Sequence, residues 1–373
     1  MDHVPAEIIS SIIEHIDEQN DLLSCSLVNQ CFYKATIPFL WRFIVEGEHA
    51  MWDEDQEKVK FLDCLMQQPP HPMANYVQEI ELFSQWTDTE FVQLMSLIGP
   101  QVESVYISSS EAMSDTSFQQ LGCFWPNVTA LYARRHSATQ ASMIALARQC
   151  PRLRILQLGY CPALSPRTLA PFVEAGCQLE EVALEAAGGG SHHVWNEQII
   201  VHDLIQFPLL TSIWFDGSSP QVTEAILTTN EHAWPQLTTL RLENIGQQVG
   251  DDRRLIPFIQ AHPRLTDITL TNTNMTDATV DAITTSLPDV RRVILCQNTH
   301  ISANSIRRLV RRRGLNLSMV DFKGCNITLA HFPEACDNAN NCDATYLHRG
   351  TIDKITAQND SQEDIGLNDD DLS

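Results

Sequence analysis

Positive charge is scarce in this chain. Lys and Arg together number 24 against 47 Asp and Glu, a formal net charge of -23 at pH 7. Lysine is rarest: it occurs at 34, 58, 60, 323 and 354, with none between Lys60 and Lys323. So acidic a surface argues against nucleic acid as a partner. No apolar run is long enough to cross a bilayer, so no membrane partner is expected, and the opening MDHVPAEIIS lacks the basic start of a secretion signal. The 11 cysteines include no C-x-x-C pair. A scattered, odd set reads as reduced thiols, which points to cytoplasm or nucleus and away from a zinc site. Phosphate-cradling, nucleophile-elbow and H-E-x-x-H motifs are all missing. The expectation is a non-enzyme with no metal and no cofactor.

What is plentiful is one recurring phrase. Pro151 to Cys161 reads PRLRILQLGYC, with Leu153, Leu156 and Leu158 as apolar marks and a small polar group, Cys161, closing it. Two apolar residues two apart suit a strand with one buried face. The first mark returns as Val77, Val102, Val128, Leu153, Leu179, Leu210, Leu237, Leu265, Val290 and Leu317, at intervals of 25 to 31 residues. Apolar or small residues follow at +3 and +5, such as Ile213 and Phe215 or Leu240 and Leu242. The remainder of each period reads as a helix: Ser165-Pro166, Thr276 and Ser302 are placed as N-caps before apolar runs. A period of roughly 20–29 residues with L-x-x-L-x-L is the leucine-rich-repeat signature. One strand and one helix per repeat stack into a right-handed α/β solenoid, a horseshoe of about ten repeats over 77–335. Cys161, Asn298 and Cys325, with Thr273 and Ser218, fill the closing position and read as structural. These cysteines resemble those of the cysteine-containing repeat subclass.

The first 45 residues differ. Ile8, Ile9, Ile12, Ile13 and Ile16 give one apolar helix face after Pro5, and Asp21 is placed to cap a second helix carrying Leu22, Leu23, Leu27 and Val28. Phe32 and Tyr33 follow, and Pro38 opens a last short helix with Leu40 and Trp41. Three short helices are near the lower limit of independent stability and often leave an apolar face for a partner.

This segment resembles an F-box. Val4-Pro5-Ala6-Glu7-Ile8 stands where that family has Leu-Pro-x-Glu-Ile, followed in order by Asp21-Leu22-Leu23, Leu27-Val28 and Leu40-Trp41. Val4 departs mildly from Leu, and Phe32 stands where the family often has Trp. The resemblance implies docking on the Skp adaptor of a Skp–cullin–F-box ubiquitin ligase, and through it on a cullin–RING module. It places Val4, Pro5, Ile8, Leu22, Leu27, Val28, Phe32, Leu40 and Trp41 at the adaptor. The other reading is a repeat scaffold or inhibitor acting outside any ligase.

Residues 46–76 read as a connector: one helix with Phe61, Leu62, Leu65 and Met66, ended by Pro69, Pro70 and Pro72. Within the repeats, alternation puts one column on the open strand face: Glu81, Tyr106, Tyr132, Gln157, Ala183, Trp214, Arg241, Thr269, Ile294 and Asp321. Tyr106, Tyr132, Gln157, Trp214, Asp216, Arg241 and Glu243 are expected to hold an unknown protein substrate, since Tyr, Trp and Arg dominate interface energetics. The long interval after Leu179 carries a Gly188-Gly189-Gly190-Ser191-His192-His193 loop on the rim. Arg307, Arg308, Arg311, Arg312 and Arg313 cluster on an outer helix. Few lysines would make a ligase receptor a poor target of its own ubiquitin transfer. Residues 336–373, poor in apolar groups and acidic at the end, are expected to be disordered.

Overall fold

The computed structural model describes residues 5–45, 58, 60, 62, 63, 65, 66, 73–83, 85–108, 112–135, 137–185, 199–217, 220–229, 233–244, 250–328, 331–335 and 345–363. Val4, Phe61, Ser218 and the Gly188–His193 loop lie outside them. The chain divides into two compact units, Met1–Gln178 and Leu179–Ser373.

The first unit opens with helices α1 (Ala6–Ile13), α2 (Gln19–Ser26) and α3 (Gln30–Leu40). Its third helix starts earlier than the sequence analysis expects. Asn29 caps it, its side-chain oxygen accepting from Cys31 N–H at 2.9 Å and Phe32 N–H at 3.0 Å. Pro38 then lies inside this helix instead of opening another. One proline there removes one backbone bond, which the cap and the packed core offset. Asp21 is not the cap of α2 but sits in its first turn, behind Glu18.

Strand β1 (Phe43–Val45) follows without a break and pairs in parallel with β2 (Glu79–Leu82), Ile44 opposite Ile80. The three helices therefore run directly into the sheet, and the boundary expected after residue 45 falls at the end of its first strand. Of the connector, Leu62 and Leu65 are buried. The first unit continues as α4 (Asp88–Leu97), β3 (Ser104–Ile107), α5 (Asp115–Phe124), β4 (Ala130–Arg134), α6 (Gln140–Gln149), β5 (Ile155–Gly159) and α7 (Ala170–Glu174). Helix α7 begins later than Ser165-Pro166 suggests, while Ser165 donates its hydroxyl to Gln140 Oε1 at 2.7 Å.

The second unit repeats the plan: β6 (Glu181–Glu185), α8 (Ile199–Ile205), β7 (Ser212–Asp216), α9 (Pro220–Leu227), β8 (Thr239–Glu243), α10 (Asp252–Ala261), β9 (Asp267–Leu270), α11 (Asp277–Ser286), β10 (Arg292–Ile294), α12 (Ala303–Arg313) and β11 (Met319–Asp321). Adjacent strands pair in parallel and in register, for example Leu131 opposite Leu156 and Ile213 opposite Leu240. The marks at 0, +3 and +5 are buried in every repeat, Leu153, Leu156 and Leu158 being at most 1% exposed. No single repeat can cover its own leucines, so each depends on the next.

Two devices join repeats. Wherever it is described, the residue seven after a first mark takes a left-handed backbone: Arg135, Tyr160, Gly217, Asn244, Asn272, Gln297 and Gly324. That turn aims the N–H sideways at the neighbouring repeat, as in Arg135 N to Gly159 O (2.8 Å) and Gln297 N to Lys323 O (2.7 Å). Only glycine adopts this conformation freely, yet the lateral bond holds Arg135 and Gln297 there too.

The second device is an aspartate staple between helix N-termini. Asp115 accepts from Thr139 N–H (2.6 Å) and hydroxyl (2.9 Å) and from the Ser142 hydroxyl. Asp252 does the same with Thr276 N–H (2.9 Å), Thr276 hydroxyl (2.6 Å) and Thr279 hydroxyl (2.6 Å). Asp88 with Ser114 and Ser117, and Asp277 with Ser302, complete the set. Partial burial pushes these four carboxyls up, and the donated hydrogen bonds outweigh it, so all four lie below the ordinary aspartate value. The unfolded chain then binds more protons over the interval between the two values. The stapling stability is whole above an unfolded value of about 4 and drains away as pH falls through the lowered folded ones. Thermal melts should therefore drop steeply below about pH 4, and replacing all four aspartates by Asn should flatten that drop. An unchanged acid profile in the quadruple variant would assign acid sensitivity to other carboxylates.

Residues 346–363, part of the stretch expected to be disordered, form regular structure. Strand β12 (Tyr346–His348) pairs antiparallel with β11, Leu347 opposite Val320, and helix α13 (Arg349–Glu363) follows. Leu347, Ile352 and Ile355 are at most 1% exposed. Arg349 Nη1 donates to the carbonyls of Gly314 (2.9 Å), Leu315 (3.0 Å) and Leu317 (2.7 Å), satisfying acceptors just past the end of α12. Few apolar residues suffice because the strand needs only to cover one open edge. Residues 364–373 lie outside the described part.

Candidate functional site

Two kinds of surface could receive a partner. The first is the N-terminal helical face. Ile9, Ile13 and Leu22 form the small core, with Ile16, Cys25, Phe32, Ala35, Phe39 and Leu40 packed on it. The isoleucines of α1 thus split between two faces: Ile9 and Ile13 turn inward, while Ile8 and Ile12 remain 51% exposed each. Leu23 (53%), Leu27 (80%), Val28 (54%) and Tyr33 (38%) are exposed as well. Six apolar side chains open to solvent on one small bundle are more than scattered surface residues.

Of the residues placed at an adaptor by the sequence, Pro5, Ile8, Leu27 and Val28 are open to solvent. Phe32, Leu40 and Trp41 are half-buried. Leu22 is a correction: at 6% exposure it lies in the core, because a bundle of three short helices needs every inward apolar position it has. Val4 lies outside the described residues. Ile12, Leu23 and Tyr33 were not singled out for this face. The signal available for Ile12 was its four-residue spacing from Ile8, which separates it from Ile9 and Ile13.

The second surface is the open face of the sheet, turned away from the helices. In the first unit Glu81, Tyr106, Tyr132 and Gln157 stand side by side in register. Phe83, Tyr106 and Tyr132 form an aromatic run, with ring centroids 5.6 Å and 6.0 Å apart. In the second unit the row is Ala183, Trp214, Arg241 and Thr269, then Ile294 and Asp321. The Arg241 guanidinium lies 4.0 Å from the centre of the Trp214 ring, and its Nη2 donates to Glu243 Oε1 at 2.8 Å. Asn244 Nδ2 donates to Asp216 Oδ1 at 2.8 Å. Trp214 Nε1 and Arg241 Nε are shielded from solvent and have no acceptor among the described residues.

The column is less open than alternation alone suggests. Ala183 (2%) and Thr269 (4%) are buried, and the rest are half-buried, because strands this close let neighbouring side chains cover one another. Of the expected substrate residues, Trp214, Asp216, Arg241 and Glu243 form one polar-aromatic patch in the second unit. Tyr106, Tyr132 and Gln157 form another in the first.

Among the described residues no group of three or more metal-ligating side chains converges. Burial pushes the Cys150 thiol up to about 12 and the Cys325 thiol up to about 11, far from a reactive thiolate. The closing-position residues serve the backbone instead: Cys161 Sγ donates to Gly159 O (3.1 Å) and Cys325 Sγ to Leu295 O (2.8 Å). No helix is long and apolar enough to cross a membrane among the described residues.

No family model and no curated protein matches this chain. Among solved structures, the yeast Rad7–Elc1 complex contains a chain with the same fold, at TM-score 0.53 and 17% identity. The likeness covers 64% of this chain and 60% of that one. A protein of Bacteroides fragilis aligns at TM-score 0.43 and 15% identity, over 69% of this chain and 74% of its own. The fold is accordingly an α/β repeat array of leucine-rich-repeat type.

Proposed function

We propose that this chain is the non-catalytic substrate receptor of a Skp–cullin–F-box ubiquitin ligase. Its N-terminal helices dock on a Skp-type adaptor, and the open sheet face holds the protein to be ubiquitinated. The observation that carries the reading is the exposed apolar set Ile8, Ile12, Leu23, Leu27, Val28 and Tyr33 on the segment whose sequence resembles an F-box. An amphipathic helical face of this kind is what a partner groove buries. Rad7, which shares the repeat fold, was solved in complex with Elc1, in keeping with a role inside an assembly. The receptor supplies proximity, and the chemistry belongs to other subunits. The buried, protonated thiols suit a cytoplasmic or nuclear setting.

On the sheet, Trp214 and Arg241 are the anchors. They form a half-buried cation–aromatic pair on the open strand face, of the residue types that dominate interface energetics. Affinity capture with the full chain tests both halves. Wild type should retain a Skp-type adaptor, and Leu27→Asp/Val28→Asp should lose it with an unchanged melting temperature, since both side chains are exposed. Trp214→Ala/Arg241→Ala should keep the adaptor and lose the cargo. Wild type that captures no adaptor would favour a repeat scaffold acting outside a ligase.

A further inference from the structure

Helix α12 carries five arginines within seven residues, 307, 308 and 311–313, on a chain of net charge -23. The five are not equivalent. Arg307 is bound twice by Glu334, at 2.9 and 3.0 Å, and lies 5.0 Å over the Phe332 ring. Arg313 donates to the Thr284 and Thr285 carbonyls at 2.8 and 3.2 Å. Arg308 grips Asp281 of the preceding helix through Nε (3.0 Å) and Nη2 (2.9 Å). Arg311 and Arg312 are exposed and donate to no acceptor among the described residues; Arg311 feels Glu334 only through space.

Between α11 and α12 runs an open groove of about 440 Å³ lined by Asp281, Thr284, Thr285, Arg308, Arg311 and Arg312. Three guanidinium groups face one carboxylate, so the groove carries an uncompensated charge of two. At physiological ionic strength charges interact over about 8 Å, so these arginines govern the groove and the distant acidic surface does not.

We propose that this groove binds an acidic segment of a partner protein, with Arg311 and Arg312 each taking a separate carboxylate. The Arg308–Asp281 pair is the template: it shows that a planar fork on this face already accepts a carboxylate at both oxygens. Spaced single charges fit better than one phosphate dianion. Arg311 and Arg312 stand in the last turn of α12, where the helix end carries partial negative charge, and Asp281 adds more. This surface is independent of the adaptor and sheet faces, so its failure leaves the receptor reading intact.

The test is fluorescence anisotropy on the full chain, with a labelled peptide alternating Glu and Gly and its Gln counterpart. The Glu peptide should bind about tenfold tighter than the Gln peptide, as two exposed ion pairs allow. Arg311→Glu/Arg312→Glu should abolish the difference at an unchanged melting temperature. Asp281→Asn, which releases Arg308, should tighten binding about threefold, whereas Glu174→Gln on the exposed end of α7 should not. Equal binding by the double-arginine variant overturns the proposal. So does a preference for a single phosphoserine over the Glu peptide. Binding that emerges only after residues 364–373 are removed overturns it too, by assigning the groove to the chain's own acidic end.

Discussion

Leu156→Asp should abolish the cooperative unfolding of the first unit. Leu156 is fully buried on β5 and faces Leu131 of β4 in register. Losing a buried leucine costs roughly 2–5 kcal/mol through lost transfer energy and the void left behind. A carboxylate in its place has no donor to meet and must stay protonated or draw water into the core, which costs several kcal/mol more. Whole domains are stable by only about 5–15 kcal/mol, so the sum reaches the total. Repeats hold one another, and loss of one propagates to its neighbours instead of staying local. Urea titration followed by far-UV circular dichroism reads the outcome. Leu156→Met, which keeps the volume, should stay within about 1.5 kcal/mol of wild type. A Leu156→Asp protein that melts with wild-type cooperativity would show that these strands do not share a core.

Asn298→Leu should be the most damaging isosteric change in the second unit. Asn298 is fully buried and makes four hydrogen bonds. Its side-chain oxygen accepts from Thr273 N–H (2.8 Å) and the Thr273 hydroxyl (2.7 Å), and its amide donates to Leu270 O (2.8 Å) and Leu295 O (2.9 Å). Leucine fills the space and leaves the Thr273 N–H, the Thr273 hydroxyl and the Leu270 carbonyl without this partner, at about 1–3 kcal/mol each, while the Leu295 carbonyl keeps only the Cys325 thiol. A loss of roughly 4 kcal/mol or more is expected from a denaturant titration. Asn298→Cys should cost clearly less, because the equivalent position of the last repeat is Cys325, whose thiol donates to the same Leu295 carbonyl at 2.8 Å. If Leu and Cys at 298 prove equally harmful, volume decides this position and hydrogen bonding does not.

These two residues also show how much could be read in advance. Leu156 was legible because strand alternation and a period near 26 are one-dimensional properties, visible as letters at fixed spacing. Asn298 was legible as a polar residue in the closing position, though its four partners were not. The aspartate staples escaped notice: Asp115, Asp252 and Asp277 look like ordinary first-turn acids, and their donors stand 24 to 25 residues later, on a different helix. The left-handed turn residues were half hidden. Gly217, Gly324, Asn244 and Asn272 are types that favour it, but Arg135, Tyr160 and Gln297 are not. At the front end, five isoleucines at helical spacing announced an amphipathic helix without saying which of them point inward.

What the amino-acid order determined alone was the repeat: its period, its strand, its buried marks and its capped helices, since all of these arise from neighbours close along the chain. Three other matters rested on the tertiary structure. It decided that Leu22 is core while Leu27 is surface, that Asp281 neutralises Arg308 and leaves Arg311 and Arg312 open, and that a sparse C-terminal stretch covers the last strand. Each of these depends on which groups meet across separate elements of the chain, and such meetings are set by packing and desolvation in space.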